Sequence, residues 1–225
     1  MKFNEAKFFV KNNLSEVKAA VFVAHPDDET IWIGGTILSQ KNWNWEIIVA
    51  THDENDNRGK DFIKSIEKYH DQYGVQKISY KFIKAMPDEQ DYNTLIKNED
   101  DKKKIYDELN KIEIKNYNII FTHNIDGEYG HANHKILGEY FKNKTEKENL
   151  NIWHFLCPSI QNIKEKQVGE FIETTYLNAV LLTQKYLIFQ YSYESEHYLW
   201  TGFSDFMRFE FCSGIEMFTR FKNEN

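Results

Sequence analysis

Apolar residues fall along the chain in two kinds of run. Short apolar runs rich in Val, Ile, Phe and Tyr cover residues 19–24, 45–51, 78–83, 117–122 and 152–156, the first of them continuous, and longer amphipathic stretches separate them. A run that is apolar at every position suits a parallel strand buried on both faces, whereas helical spacing suits a helix lying on such a sheet. Residues 60–73 show the second pattern, with Phe62, Ile63, Ile66, Tyr69 and Tyr73 on one side. Helices are expected over 29–40, 60–73, 102–112 and 131–141, and a longer one over 175–190. Beyond residue 156 the alternation weakens, and the aromatic tail 198–221 is expected to pack back onto the sheet. The pattern predicts an α/β class: a Rossmann-like three-layer fold with a mostly parallel sheet, its ligands bound at the carboxyl ends of the strands.

Composition narrows this picture. No Gly/Ser/Pro-rich linker interrupts the 225 residues, so one domain over 1–225 is expected, and 41% hydrophobic with 16% aromatic residues is ample for its core. A net charge of −7 argues against nucleic acid as the main partner, because phosphate backbones call for clustered Lys and Arg. Lysines here mix with acids, as in Asp100-Asp101-Lys102-Lys103-Lys104, the look of a solvated helix face. Residues 1–14 alternate Lys, Glu and Asn with apolar positions and do not read as a secretory signal; they are expected to belong to the mature chain. The most apolar stretch, 176–189, is broken by Asn178, Thr183, Gln184 and Lys185 and is not expected to span a membrane. Cys157 and Cys212 form no paired-thiol motif, which fits a cytoplasmic protein and excludes thiolate metal binding. Homo-oligomerisation is left open.

Two predicted strand ends carry unusual polar sequences. The first is Ala24-His25-Pro26-Asp27-Asp28-Glu29. His25 and Asp28 could supply two of the three protein ligands of a catalytic zinc, leaving Asp27 beside the ion to take a proton from water. The same acids could equally cap the following helix, and Glu29 is expected to do only that. The Gly34-Gly35 pair implies close approach to the helix backbone, for which packing on the sheet is sufficient explanation. The second strand end is Gly127-Glu128-Tyr129-Gly130-His131-Ala132-Asn133-His134. With a helix starting near His131, the two imidazoles share a face about one turn apart, so that one can bind metal while the other meets substrate. Such a pair alone is also common on ordinary surface; the two clusters together complete one ligand set.

Ala24-His25-Pro26-Asp27-Asp28-Glu29 after the first strand, with Gly130-His131-Ala132-Asn133-His134 further on, resembles the LmbE-like, PIG-L family of zinc-dependent N-acetylglucosamine deacetylases. The resemblance covers about residues 21–134 and extends weakly to 185–195 and 214–220. It implies Zn2+, or another divalent metal, held by His25, Asp28 and His134, with Asp27 as general base. It associates His131 with protonation or oxyanion stabilisation and Tyr129 with a tyrosine that swings toward the oxyanion. The family's usual acid between the paired histidines is Asn133 here. Arg58 with Asp61 is similar to the family's Arg-x-x-Glu pattern, at a different spacing, and makes Arg58 a candidate substrate contact.

The expected activity is metal-dependent removal of an N-acetyl group from an amino sugar or its conjugate, with the small acetylated sugar as partner. Two other readings fit the same first motif: a zinc amidase acting on a thiol conjugate or other small amide, and a non-catalytic sugar- or metal-binding protein. His123 is a further candidate for substrate or supporting contact. His52, Asp53 and Glu54 after the second strand read as a solvated loop, and His70, His154 and His197 as structural. Specificity is assigned to loops 84–96 and 157–173, and Trp200, Phe203, Phe206 and Phe209 to a core, a sugar cleft or a subunit interface.

Overall fold

A computed structural model of the chain describes residues 16–148, 150–157, 171–196 and 214–221. The segment 1–14, most of loop 157–173, His197 and the aromatic residues Trp200, Phe203, Phe206 and Phe209 lie outside the described residues. A seven-stranded sheet runs through the molecule. Its strands are β1 (Lys18–Val23), β2 (Asn44–Val49), β3 (Lys77–Phe82), β4 (Ile119–Thr122), β5 (Ile152–Leu156), β6 (Phe171–Tyr176) and β7 (Ile215–Arg220). Its helices are α1 (Asp28–Ser39), α2 (Asn57–Glu67), α3 (Tyr92–Leu95), α4 (Glu99–Leu109), α5 (Ala132–Lys147) and α6 (Ala179–Ser192). The sheet order is β3-β2-β1-β4-β5-β7-β6, with β1 to β5 mutually parallel and β7 antiparallel to both neighbours.

The central strands are mostly apolar because each face is covered. Ala19, Val21 and Val23 point into one core with Ile33 and Ile37 of α1, Phe62 and Ile66 of α2, and Ile188 and Phe189 of α6. Ala20, Phe22 and Ala24 point into the opposite core, with Ile105 and Leu109 of α4 and Ile136, Leu137 and Phe141 of α5. The period-two alternation of a strand divides one hydrophobic run between two layers. This is a mixed α/β, three-layer fold with a mostly parallel sheet. After β1 the chain builds outward through β2 and β3, then returns to the other side of β1 as β4. That reversal opens a crevice beyond the carboxyl ends of β1 and β4, where ligands bind in open α/β sheets.

The differences from the sequence reading have local causes. Helix α2 starts at Asn57, three residues before the expected 60, because Asp56 caps it by accepting from the Gly59 N–H at 2.7 Å; a π-helical turn over Lys68–Gln72 extends it. The expected helix over 175–190 is two elements: Thr175 and Tyr176 end β6, and the Asn178 side chain, accepting from Leu181 N–H at 2.9 Å, starts α6. Part of the aromatic tail is a strand, β7, inserted between β5 and β6. Gly34 and Gly35 answer to neighbouring helices and loops, not to the sheet. A β-carbon at Gly34 would stand 2.6 Å from the Tyr69 hydroxyl, and one at Gly35 would stand 2.2 Å from Leu177.

Candidate active site

β1 and β4 end side by side, and the residues following each turn into the same crevice. His25 leaves the end of β1, Asp28 opens α1, and His134 lies in the first turn of α5. Asp27 between them has φ 113° and ψ −33°, a conformation costing a non-glycine residue about 1–3 kcal/mol, which the surroundings must enforce. Glu29 supplies part of that enforcement and is more than the helix cap expected. It is fully buried; one carboxylate oxygen accepts from the Asp27 N–H at 3.1 Å, while the other accepts from the hydroxyls of Thr30, Ser65 and Tyr193.

At the centre three acceptor atoms form a nearly equilateral triangle. His25 Nδ1 lies 3.2 Å from His134 Nε2 and 3.3 Å from Asp28 Oδ2, and His134 Nε2 lies 3.4 Å from that same oxygen. The outer nitrogens fix what faces inward. His134 Nδ1 donates to Glu128 Oε2 at 2.6 Å, whereas His25 Nε2 lies 3.2 Å from Asp88 Oδ1, at ion-pair distance but out of line for a hydrogen bond. With protons on those outer atoms, Nδ1 of His25 and Nε2 of His134 turn lone pairs toward each other and toward a carboxylate oxygen. Lone pairs so close repel unless a cation or a shared proton lies among them. Tetrahedral zinc, with nitrogen and oxygen ligands at about 2.0–2.2 Å, spaces them about 3.3–3.6 Å apart, so this donor set fits it in both type and spacing. Carboxylate-backed histidines are the usual way a protein aims imidazoles at a metal.

Asp28 and Glu128 hold their charges inside the protein. Burial opposes ionisation of Asp28, but His134 and His123 outweigh it and hold the carboxyl well below its ordinary range. The Trp32 indole N–H binds its other oxygen at 3.1 Å. Glu128 is likewise buried and pulled down to about 2 by His123 and His134, and it also accepts the Asn124 N–H at 2.7 Å. His123 is stacked on His134 at 3.8 Å between centroids and has no exposed surface. Its Nε2 accepts the Ala24 N–H at 3.0 Å, and its Nδ1 donates to Glu128 Oε2 at 2.9 Å. The backbone hydrogen fixed toward Nε2 leaves that atom no free lone pair, which excludes a cation held by Asp28, His123 and His134 together. It also corrects the expected substrate contact: a fully buried His123 meets no ligand and instead wedges β1, β4 and Glu128 together.

Nearer solvent, Asp27 Oδ2 lies 3.3 Å from Arg58 Nη2, which also donates to Pro26 O at 3.2 Å. Arg58 reaches this point from the first turn of α2, and Asp61, the acid of the Arg-x-x-Asp pattern, binds Lys64 and the Ser195 N–H. His131 packs edge-on against His25, 4.5 Å between centroids. Burial, then the neighbouring His134 and His25, lower its pKa to about 3, so the ring is neutral. Tyr129 is 45% exposed and stacks on Trp32. His52, with φ 57°, joins the rim through Asp88 at 3.2 Å and Asp56 at 2.9 Å, while Asp53 pairs with Lys84 in the expected solvated loop.

PIG-L, described as GlcNAc-PI de-N-acetylase, is the family whose model matches residues 20–144, more than half of the chain and the part carrying all of these site residues. The chain belongs to the PIG-L family. An uncharacterised protein of Acanthamoeba polyphaga mimivirus is 27% identical over 136 residues, which cover 53% of this chain and 54% of that protein. The match thus spans about half the length of that curated relative. Among solved structures, the A40926 pseudoaglycone deacetylase Dbv21 superposes with a TM-score of 0.62 at 10% identity, covering 86% of this chain and 88% of that one. The zinc-inhibited form of teicoplanin deacetylase Orf2 gives 0.60 at 13% identity, covering 86% and 90%. Both share the fold.

Of the residues singled out in the sequence of this PIG-L protein, the fold brings His25, Asp27, Asp28, Arg58, Tyr129, His131 and His134 into one crevice. Sequence reading missed Glu128 and Asp88, the carboxylates behind the two central imidazoles. Glu128 had a usable signal, since an acid beside a loop glycine and six residues before His134 is within reach of that ring. Asp88 had none, because only the return of the β3 loop across the sheet end brings it to His25.

Proposed function

We propose that this PIG-L protein is a zinc-dependent hydrolase that removes the N-acetyl group from an amino sugar or amino-sugar conjugate. The observation that carries the reading is the triangle of three inward-facing acceptors, with edges of 3.2–3.4 Å, beside a strained carboxylate, Asp27, that is not one of its corners. Membership of a deacetylase family supports the reaction class, and the two nitrogen donors with one carboxylate oxygen support the choice of metal.

In this reading His25, Asp28 and His134 hold the ion. Bound there, zinc polarises an amide carbonyl and makes a water more acidic. Asp27 would accept the proton of an attacking water on its carboxylate as the oxygen adds to the acetyl carbon, with Arg58 pairing to that carboxylate and aiming it. The neutral imidazole of His131 and the Tyr129 hydroxyl each offer a hydrogen to the oxygen of the tetrahedral adduct. When the C–N bond breaks, the proton held on Asp27 is available to the departing amine. Glu128 and His123 stay behind this chemistry and orient His134. At the rim, the exposed Tyr129 ring and the Arg58–Asp88 pair offer an apolar face and polar groups suited to a sugar ring.

The test is metal analysis combined with acetyl-release assays on free, nucleotide-linked and lipid-linked acetylated amino sugars, on wild type and on Asp27→Ala. The variant is expected to keep one zinc per chain and to lose about 10²–10⁴-fold in kcat. Zinc loss with turnover intact would reverse the roles of Asp27 and Asp28. A zinc-loaded wild type that releases acetate from no member of the panel would leave the sugar-deacetylase reading without support.

A further inference from the structure

Asn133 stands where the family pattern carries an acid, and it is completely buried yet touches none of the three triangle atoms. Its amide spans the loop that follows β3. Oδ1 accepts the Glu89 N–H at 2.8 Å, and Nδ2 donates to the Pro87 carbonyl at 2.8 Å. The residue between those two contacts is Asp88, whose Oδ1 faces His25 Nε2 at 3.2 Å. One further backbone bond, Ala132 N–H to Gln90 O at 3.3 Å, docks the same loop on the start of α5. The orientation of the amide is unambiguous, because one neighbour is a backbone donor and the other a carbonyl acceptor.

The geometry points to Asn133 as a positioning residue that clips residues 87–89 to α5, so that Asp88 backs His25 and aims its Nδ1 at the metal position. This inference rests on the deacetylase reading and adds a specificity to it: the residue before His134 must be an amide, which both accepts and donates. An aspartate could accept from Glu89 N–H, but its second oxygen would oppose the Pro87 carbonyl, lone pair against lone pair, inside a buried contact. The His131-Ala132-Asn133-His134 segment would then hold His134 while releasing the support of His25. The loop and the helix are matched to each other, so restoring the family residue is expected to harm this protein.

The experiment compares wild type, Asn133→Asp, Asn133→Ala, Asp88→Asn and the double variant Asn133→Asp/Asp88→Asn. Zinc Kd is measured by competition with a chromophoric chelator, alongside the Tm of the metal-free proteins and acetyl release. Loss of an outer partner of a metal-bound histidine weakens metal binding about 10–100-fold. Asn133→Asp and Asp88→Asn are each expected to show a loss of this order, and the double variant no more than either alone. Asn133→Ala carries the same comparison should Asn133→Asp fail to fold. A zinc Kd unchanged from wild type in a folded Asn133 variant, with only the metal-free Tm lowered, would overturn the inference and make Asn133 a purely structural residue. Losses that multiply in the double variant would overturn the route through Asp88. A wild type that binds no zinc would sink the deacetylase reading itself, which the variant comparison leaves separate.

Discussion

Helix α1 has a buried carboxylate cluster at each end of its first nine residues, and the two are built on opposite plans. Toward its middle, Glu216 of β7 accepts from the Gly35 and Thr36 N–H groups at 2.8 Å each, from the Thr36 hydroxyl at 2.7 Å and from Lys185 Nζ at 2.8 Å. Lys185, almost wholly buried, also donates to the Ile31 carbonyl at 2.7 Å. Every acceptor there meets a donor, and one cation of the protein balances one anion. At the start of α1, Asp28 accepts from the His25 and Trp32 N–H groups, yet its Oδ2, His25 Nδ1 and His134 Nε2 still converge with no cation of the protein among them. A buried polar cluster that closes on itself stabilises a fold; one that leaves acceptors converging is arranged around something the chain does not supply.

The sharpest way to separate the two clusters is at Asp27, which belongs to the second but closes no structural contact on the scale of Glu216. Asp27→Gly is expected to cost about 10²–10⁴-fold in kcat. It relieves the 113° φ, so metal-free stability in urea is expected to rise by about 1 kcal/mol, strain relief less the entropy of glycine. A fall in stability would show that Asp27 carries a structural load. The converse substitution is Lys185→Met, which leaves Glu216 buried without its counter-charge. It is expected to cost about 3–5 kcal/mol, or a Tm lower by roughly 6–20 °C, with zinc Kd unaltered in the protein that remains folded.

His154 lies between these extremes. It is buried behind His123, with Nδ1 donating to the His123 carbonyl at 2.7 Å, and burial lowers its pKa to about 4. An unfolded histidine titrates near 6.5, so between pH 6.5 and 4 the unfolded chain binds the extra proton. The contribution of His154 is therefore complete above pH 6.5, is lost as pH falls toward 4, and amounts to roughly 3 kcal/mol. The stability difference between wild type and His154→Gln, measured in urea across that window, is expected to narrow by about this amount. An unchanged difference would show that His154 is charged in the folded protein. Slightly smaller than the effect of His154 is that of the metal on stability. Zinc at a hundred times its Kd is expected to add about 2.7 kcal/mol to wild type and equally to Lys185→Met, and nothing to His134→Ala, with a chelator reversing the gain. An unequal gain in Lys185→Met would show that the two clusters are coupled.

Much of the sheet was legible because its central strands are mostly apolar, with 19–24 apolar throughout, a pattern that reports burial on both faces without reference to any partner. β6 and β7 were not, since Thr174, Thr175 and Glu216 look unlike a buried strand until Thr36 and Lys185 are opposite them. Within the site, His25, Asp27 and Asp28 were legible because the chain keeps them adjacent at a strand end, and His134 because its motif is compact. Of the two contacts open to His123, burial leaves the supporting one and removes the substrate one, because sequence shows that an imidazole follows a strand but not how deeply it is wedged.

By itself, then, the order of residues determined the layering of the protein and the donor types gathered at two strand ends, since hydrophobic periodicity and local motifs act over a few residues. Tertiary structure alone decided which carboxylate backs which imidazole, which acceptors are left facing inward, and why an amide rather than an acid precedes His134. Those relations link β1 to the β3 loop and to α5, and hydrogen bonds of a few ångströms between residues tens of positions apart leave no periodic trace in the chain.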